Sequence, residues 1–157
     1  MYRLMFALLL GFILLGANER VLYENPRDSS GWVFEGSRRV QYAVARSEEE
    51  WGSSLAKLEP PPRNVPDVDW ASEFPILVYL GEFPTGGYAV QIDEVTAKGR
   101  TIVVQVSRQS PPPGAVLTMA FTYPMHMITL SRDHLVGMEK VRFVSREGEL
   151  LGEVDIF

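Results

Sequence analysis

The chain has two histidines, His126 and His134, and they bound the chemistry it can do. Asp133 precedes His134, and Ser131 and Ser110 carry hydroxyls, so the residue types of a Ser-His-Asp triad are present. A triad serine needs a sharp exposed turn beside an oxyanion hole, and no nucleophile elbow surrounds either serine. A metal site built on the two histidines would need carboxylates at ligand spacing, and none marks them. Asp67 and Asp69 are a carboxylate pair beside a Pro-rich loop with no third partner for acid–base work. Glu48-Glu49-Glu50 sits where a helix begins, which accounts for its charge without a metal. Met119, Met125 and Met127 suit an apolar core better than a soft-metal site. Gly86-Gly87 lacks the G-x-x-x-x-G-K-[ST] pattern of a phosphate loop. Cysteine is absent, which removes thiolate nucleophiles, thiolate metal sites, disulfides and thioether lipidation together. The expectation is a protein that is not an enzyme and takes no metal or cofactor.

The totals fit one domain with a real core: 157 residues, 46% hydrophobic and 22% charged. A net charge of −5 with no basic block gives no nucleic-acid footprint. Arg3, the uncharged run Met5 to Leu15 and the small residues Gly16-Ala17 read as a signal peptide over 1–17. That run is shorter than the roughly 20 residues of a membrane span. The protein is therefore expected to be exported, periplasmic or secreted, with membrane contact only if the segment stays uncleaved. Residues 18–38, polar and irregular from Val21 to Ser30, read as an N-terminal tail or linker, and 39–157 as a single β-rich domain.

The elements that would position any site follow from period and punctuation. Trp32-Val33-Phe34 reads as a short strand or a hydrophobic tether. Val40, Tyr42 and Val44 alternate as a half-buried strand. Ser47 with Glu50 is a capping box, and Trp51, Leu55 and Leu58 form one stripe of a short helix. Pro60-Pro61-Pro62 with Pro66 is a stiff connector, and Trp70 beyond it is expected on the core. Ile76 to Leu80 and Tyr88 to Asp93 are strands meeting at Gly81-Glu82-Phe83-Pro84-Thr85-Gly86-Gly87, a strong turn signal expected to close a short connection between them. Ile102, Val104 and Val106 continue the pattern as a hairpin partner of the second run. After the rigid loop Ser110 to Gly114, Leu117, Met119, Phe121, Tyr123, Met125 and Met127 read as one face of a long strand that bulges or lies on an edge at Pro124. Val141–Val144 and Leu150–Phe157 form a final hairpin. The fold class expected is mainly β (α+β): a small antiparallel β-sandwich or barrel-like domain with one N-terminal helix.

In that order, Ser47-Glu48-Glu49-Glu50-Trp51, Val68-Asp69-Trp70, Leu80-Gly81-Glu82-Phe83-Pro84-Thr85-Gly86-Gly87-Tyr88, Ser110 to Gly114 and Thr122-Tyr123-Pro124-Met125-His126 resemble the PrcB family, exported proteins named after a protease-complex subunit. The resemblance spans roughly Val40 to Leu130. It implies a non-catalytic protein that associates with and stabilises a secreted protease. Pro84-Thr85-Gly86-Gly87-Tyr88 is also similar to the Asn-Pro-Thr-Thr-Gly loop of chagasin-like peptidase inhibitors, with Phe83 in place of the Asn, so inhibition is the alternative. Both imply one protein-binding surface: Phe83, Pro84, Thr85, Gly86, Gly87 and Tyr88, with Pro112, Gly114, Tyr123 and Pro124. Rigid Pro/Gly loops lose little entropy on binding and aromatic residues anchor interfaces. The phase of Tyr88 matches Val90 and Ile92 and turns its ring toward the core.

Overall fold

A computed structural model describes residues 18–156, so the expected leader at 1–17 lies outside the described residues. The elements are β1 (Glu19–Glu24), β2 (Gln41–Val44), α1 (Glu48–Ala56), β3 (Glu73–Tyr79), β4 (Ala89–Lys98), β5 (Thr101–Gln109), β6 (Met125–Ser131), β7 (Lys140–Ser145) and β8 (Leu150–Asp155). They form a five-stranded sheet, β1-β4-β5-β7-β8, and a three-stranded sheet, β2-β3-β6. Among the described residues the fold is mainly β with one α-helix, and it is a sandwich of two open sheets, not a closed barrel. One pair departs from the antiparallel expectation: β5 and β7 run parallel. The chain between them passes through β6 in the other sheet, which supplies the long crossover a parallel pair needs.

The main core lies between the sheets. Ile92, Val95, Ile102, Val104 and Phe143 from the large sheet meet Phe74, Ile76 and Val78 from the small one. In β4 the register shifts between Ile92 and Glu94, so the buried phase changes from Val90 and Ile92 to Val95 and Ala97. Every residue from Phe74 to Leu80 is buried, because β3 is the central strand of its sheet and both its faces are covered. Ile76 and Val78 face the main core. Leu77 and Tyr79 face a second cluster with Trp51 and Leu58, against which Trp70 packs as expected. Ser47 caps α1 by accepting from the Glu50 amide, and the Glu50 carboxylate reaches back to the Arg46 amide at 2.9 Å. The Arg46 guanidinium also bonds that carboxylate and holds its pKa below the usual carboxylate range.

Two expectations are corrected, one at the edge of the large sheet and one in the stretch before β6. Residues 18–38 are not simply a tail: Glu19–Glu24 is an edge strand paired with β4, from Glu19 opposite Lys98 to Glu24 opposite Glu94. Its polar composition is that of an edge strand with a wet face. Trp32-Val33-Phe34 forms no strand but is tethered, with the Val33 carbonyl accepting from the Ser110 amide at 2.8 Å and the Arg108 guanidinium over the Phe34 ring. The long strand expected through 117–127 is confined to Met125–Ser131, and 110–124 is a loop.

Candidate functional site

The turn at 81–88 does not close a hairpin. It carries the chain from β3 in the small sheet to β4 in the large one, at one end of the sandwich. Phe83 is its peg. The side chain is only 6% exposed, and its ring stacks on Tyr88 with centroids 3.9 Å apart. The Arg38 guanidinium lies 4.7 Å from the Phe83 centroid and donates to the Glu82 carbonyl. Phe83 is thus core, and the expectation that it faces a partner is corrected. Tyr88 is partly buried against the same core, as its phase required.

Backbone bonds fasten the 110–124 loop to this turn. Phe83 and Thr122 exchange both amide bonds, at 2.9 and 2.8 Å. The Gly86 amide donates to the Thr118 carbonyl at 3.1 Å, and the Leu80 amide to the Pro124 carbonyl at 3.0 Å. Thr122 Oγ1 donates to the Thr85 carbonyl at 2.7 Å. Tyr123 Oη donates to Glu82 Oε2 at 2.7 Å, and that bond raises the phenol pKa. Gly87 has φ +89°, and a Cβ there would sit 2.7 Å from Pro111 Cβ, so only glycine permits this approach of the two loops. Pro112 and Gly114 form the exposed tip, closed by the Ala115 amide donating to the Pro112 carbonyl at 3.1 Å. The structure therefore gathers Phe83 to Tyr88, Pro112, Gly114, Tyr123 and Pro124 at one end, with Phe83 and Tyr88 supporting it from beneath.

What projects from this end is largely a set that alternation concealed. Met119 is 85% exposed and Phe121 66%, with Val116 fully exposed and Tyr123 half exposed beside them. Read as a strand face, Met119 and Phe121 were assigned to the core. The signal that marks them is the bracketing of an uncharged run by Pro111-Pro112-Pro113-Gly114 and Pro124, neither of which can enter a sheet interior. Beside them a groove of ≈ 570 Å³ runs between the Pro60–Asn64 connector and Tyr123 with Met125.

The residues with chemical potential are dispersed and engaged elsewhere. His126 Nδ1 accepts from the Ile92 amide at 2.9 Å, a bond between the two sheets. Burial first, and then the Arg27 charge, lowers its pKa, with Asp93 opposing. His134 Nδ1 lies 3.3 Å from Arg20 Nη2, and Ser131 Oγ accepts from the Asp133 amide at 3.4 Å, so these three do not form a relay. Ser110 Oγ bonds the backbone of Glu35. Asp69 accepts from Ser72 and the Ala71 amide, which lowers its pKa. Met125 and Met127 pack on the second apolar cluster. Among the described residues no three His, Asp or Glu side chains are placed to hold a metal ion, and no helix is long and apolar enough to cross a membrane.

Residues 75–131 match the family model described as PrcB C-terminal. The PrcB resemblance therefore holds, and the matched stretch runs from β3 to the end of β6, enclosing both loops of the site. No curated protein and no solved structure matches the chain.

Proposed function

We propose that this chain is a non-catalytic, exported protein-binding module that associates with and stabilises a secreted protease through the loop end of the sandwich. The carrying observation is the exposed set Val116, Met119 and Phe121 on a loop fastened by backbone bonds to a Pro-Thr-Gly-Gly turn. Water-exposed apolar residues clustered on a rigid support are the usual mark of an interaction surface. The PrcB C-terminal match supports a protease as the class of partner, and the reading of Arg3 to Ala17 as a signal peptide supports export. Engagement of both histidines in structural bonds favours a non-catalytic role.

The test is co-purification of the tagged full chain from the exported fraction of its own cells, with a Met119→Ser/Phe121→Ser variant beside it. The wild type is expected to retain a protease that the variant releases, at an unchanged melting temperature because both side chains are exposed. Retention of no protease, or equal retention by the variant, overturns the reading. A peptidase assay on the captured complex separates the alternatives. A longer active lifetime supports the stabilising subunit, and loss of cleavage supports a chagasin-like inhibitor acting through Pro84-Thr85-Gly86-Gly87.

A further inference from the structure

Edge strands present unpaired backbone amides and carbonyls, and proteins commonly guard them with charge, proline or a bulge. β1 carries Glu19, Arg20 and Glu24, with a register shift between Val21 and Tyr23. β8 carries Glu153 and Asp155, with a register shift opposite Phe143 and Val144. β6 is bonded across to β4 by the Ile92 amide donating to His126 Nδ1 at 2.9 Å. β2 has none of these guards. Gln41-Tyr42-Ala43-Val44 holds no charge and no proline, and its register on β3 is unbroken. β3 is its one neighbour in the sheet, and among the described residues 40–45 make no backbone–backbone bond beyond that ladder. In an antiparallel pair every second residue turns its N–H and C=O away from the partner, so this edge holds free donors and acceptors.

The open edge is one wall of a groove. Its two adjoining parts, ≈ 400 and ≈ 350 Å³, share Val44, Ser54, Lys57 and Val154. Val40 to Val44 all line the first part. Successive side chains of a strand point to opposite faces, so a groove touching five residues in a row runs along the backbone edge. α1 forms the second wall, and Val154 of β8 stands across from β2. Ala43 and Val44 are 2% and 7% exposed, so the edge lies sunk between these walls. That depth suits a single extended chain and not the edge of a second folded sheet. The charges are sorted along the groove. The chain runs back beside β2 through α1 to Glu59, whose backbone bonds the Gln41 side chain at 2.7 and 2.9 Å. Lys57 therefore stands toward the Gln41 end, while Glu49 and Asp155 line the part at Val44 to Arg46. None of these three is in an ion pair among the described residues.

We propose that this groove takes up an extended segment of a partner protein as an added strand, antiparallel to β2, basic toward its N-terminal end and acidic toward its C-terminal end. Antiparallel pairing is the more stable arrangement per residue. It brings the last residues of the segment to Lys57 and the first to Glu49 and Asp155. Main-chain bonds supply the affinity, as in other strand additions, and the sorted charges supply the direction. An edge of four residues limits the contact to a short segment. No lining residue belongs to the 81–88 turn or the 110–124 loop, so this second contact surface stands or falls apart from the loop end.

The probe is N-acetyl-Lys-Thr-Val-Thr-Val-Glu-amide, whose β-branched residues favour an extended chain, titrated into the uniformly ¹⁵N-labelled protein. It is expected to shift the Gln41 to Val44 and Val154 amides with a roughly millimolar dissociation constant, and to slow hydrogen exchange at the outward amides of β2. Two N-methylated forms read the pairing, one blocked at both Thr amides and one at both Val amides. Alternate amides of an added strand face β2, so one form should lose binding and the other keep it. The charge-reversed peptide, N-acetyl-Glu-Thr-Val-Thr-Val-Lys-amide, should bind about two- to tenfold more weakly. Lys57→Gln, at an exposed position, should narrow that preference at an unchanged melting temperature. Absence of shifts at these amides, an equal effect of the two N-methylation patterns, or equal or tighter binding of the charge-reversed peptide overturns the assignment. A free protein that is a dimer with its β2 amides already protected would give the groove to a second copy and overturn it as well.

Discussion

Adjacent glycines in the central turn should respond oppositely to the same substitution. Gly87 has φ +89°, and a Cβ on it would approach Pro111 Cβ to 2.7 Å. The left-handed backbone costs an L-residue about 1–2 kcal/mol. The overlap involves a ring fixed to the backbone, so relief requires the 110–114 loop to move, at a cost of about 1–3 kcal/mol. Gly87→Ala should therefore lose about 2–5 kcal/mol, a large share of the roughly 5–15 kcal/mol that holds a domain together. Gly86 has no positive φ, and its added Cβ would meet Thr118 Cβ at 3.8 Å, ordinary contact. Gly86→Ala should be neutral or stabilising by up to about 1 kcal/mol through the unfolded chain. Urea unfolding of both variants measures the difference, and a protease pull-down measures its consequence. Gly87→Ala should capture less partner even where it is fully folded, because its loops have parted. Equal midpoints for the two variants would refute the view that Gly87 sets the approach of the loops.

A Cβ on Gly152 would lie 2.0 Å from Tyr42 Cε1, overlapping the edge of a ring that stacks on Phe143 at 4.5 Å. Gly152→Ala should cost about 1–3 kcal/mol and much less in a Tyr42→Ala background, read as the coupling in a double-mutant cycle. His126 is held neutral by burial and by the Ile92 amide that donates to Nδ1. Its folded pKa lies below the unfolded value, so its contribution is full above about pH 6.5 and is lost as pH falls through the depressed folded pKa. A urea midpoint series from about pH 8 to about pH 5 should show that decline, and His126→Asn, which retains an acceptor, should flatten it. Ser47→Ala removes the acceptor for the Glu50 amide and should cost about 0.5–2 kcal/mol by thermal melting.

Local signals were legible where the determinant was itself local. Ser47 with Glu50 announced α1, and the alternation of Tyr88 to Ile92 against Ile102 to Val106 announced the β4–β5 hairpin. The continuous apolar run Ile76 to Leu80 announced a strand but not its two covered faces, since a buried run has no phase to read. The pairing of Glu19–Glu24 with β4 was hidden because an edge strand keeps polar residues on its wet face. The 81–88 turn looked like a hairpin because Pro, Gly and Gly specify a reversal without saying which sheet receives the next strand. Met119 and Phe121 were misplaced for the converse reason: alternation describes a paired strand, and 110–124 is an irregular loop that turns at Pro113-Gly114 and pairs only through the Phe83–Thr122 bridge. Phe83 was taken for an anchor because its neighbours are turn residues, while its ring fills the gap between the sheets. The position of the candidate site was thus readable, but which side chains project from it depended on packing between distant segments.

The loop end as the contact surface is tested most directly by site-specific photo-crosslinking in the exported fraction. A benzophenone amino acid is placed at Phe121, 66% exposed at the loop end, and in a second sample at Val136, 78% exposed near the opposite end of the sandwich. A covalent adduct with a protease from position 121 and none from position 136 is the expected result. An adduct from position 136 alone, equal adducts from both, or a partner that is not a protease would contradict it.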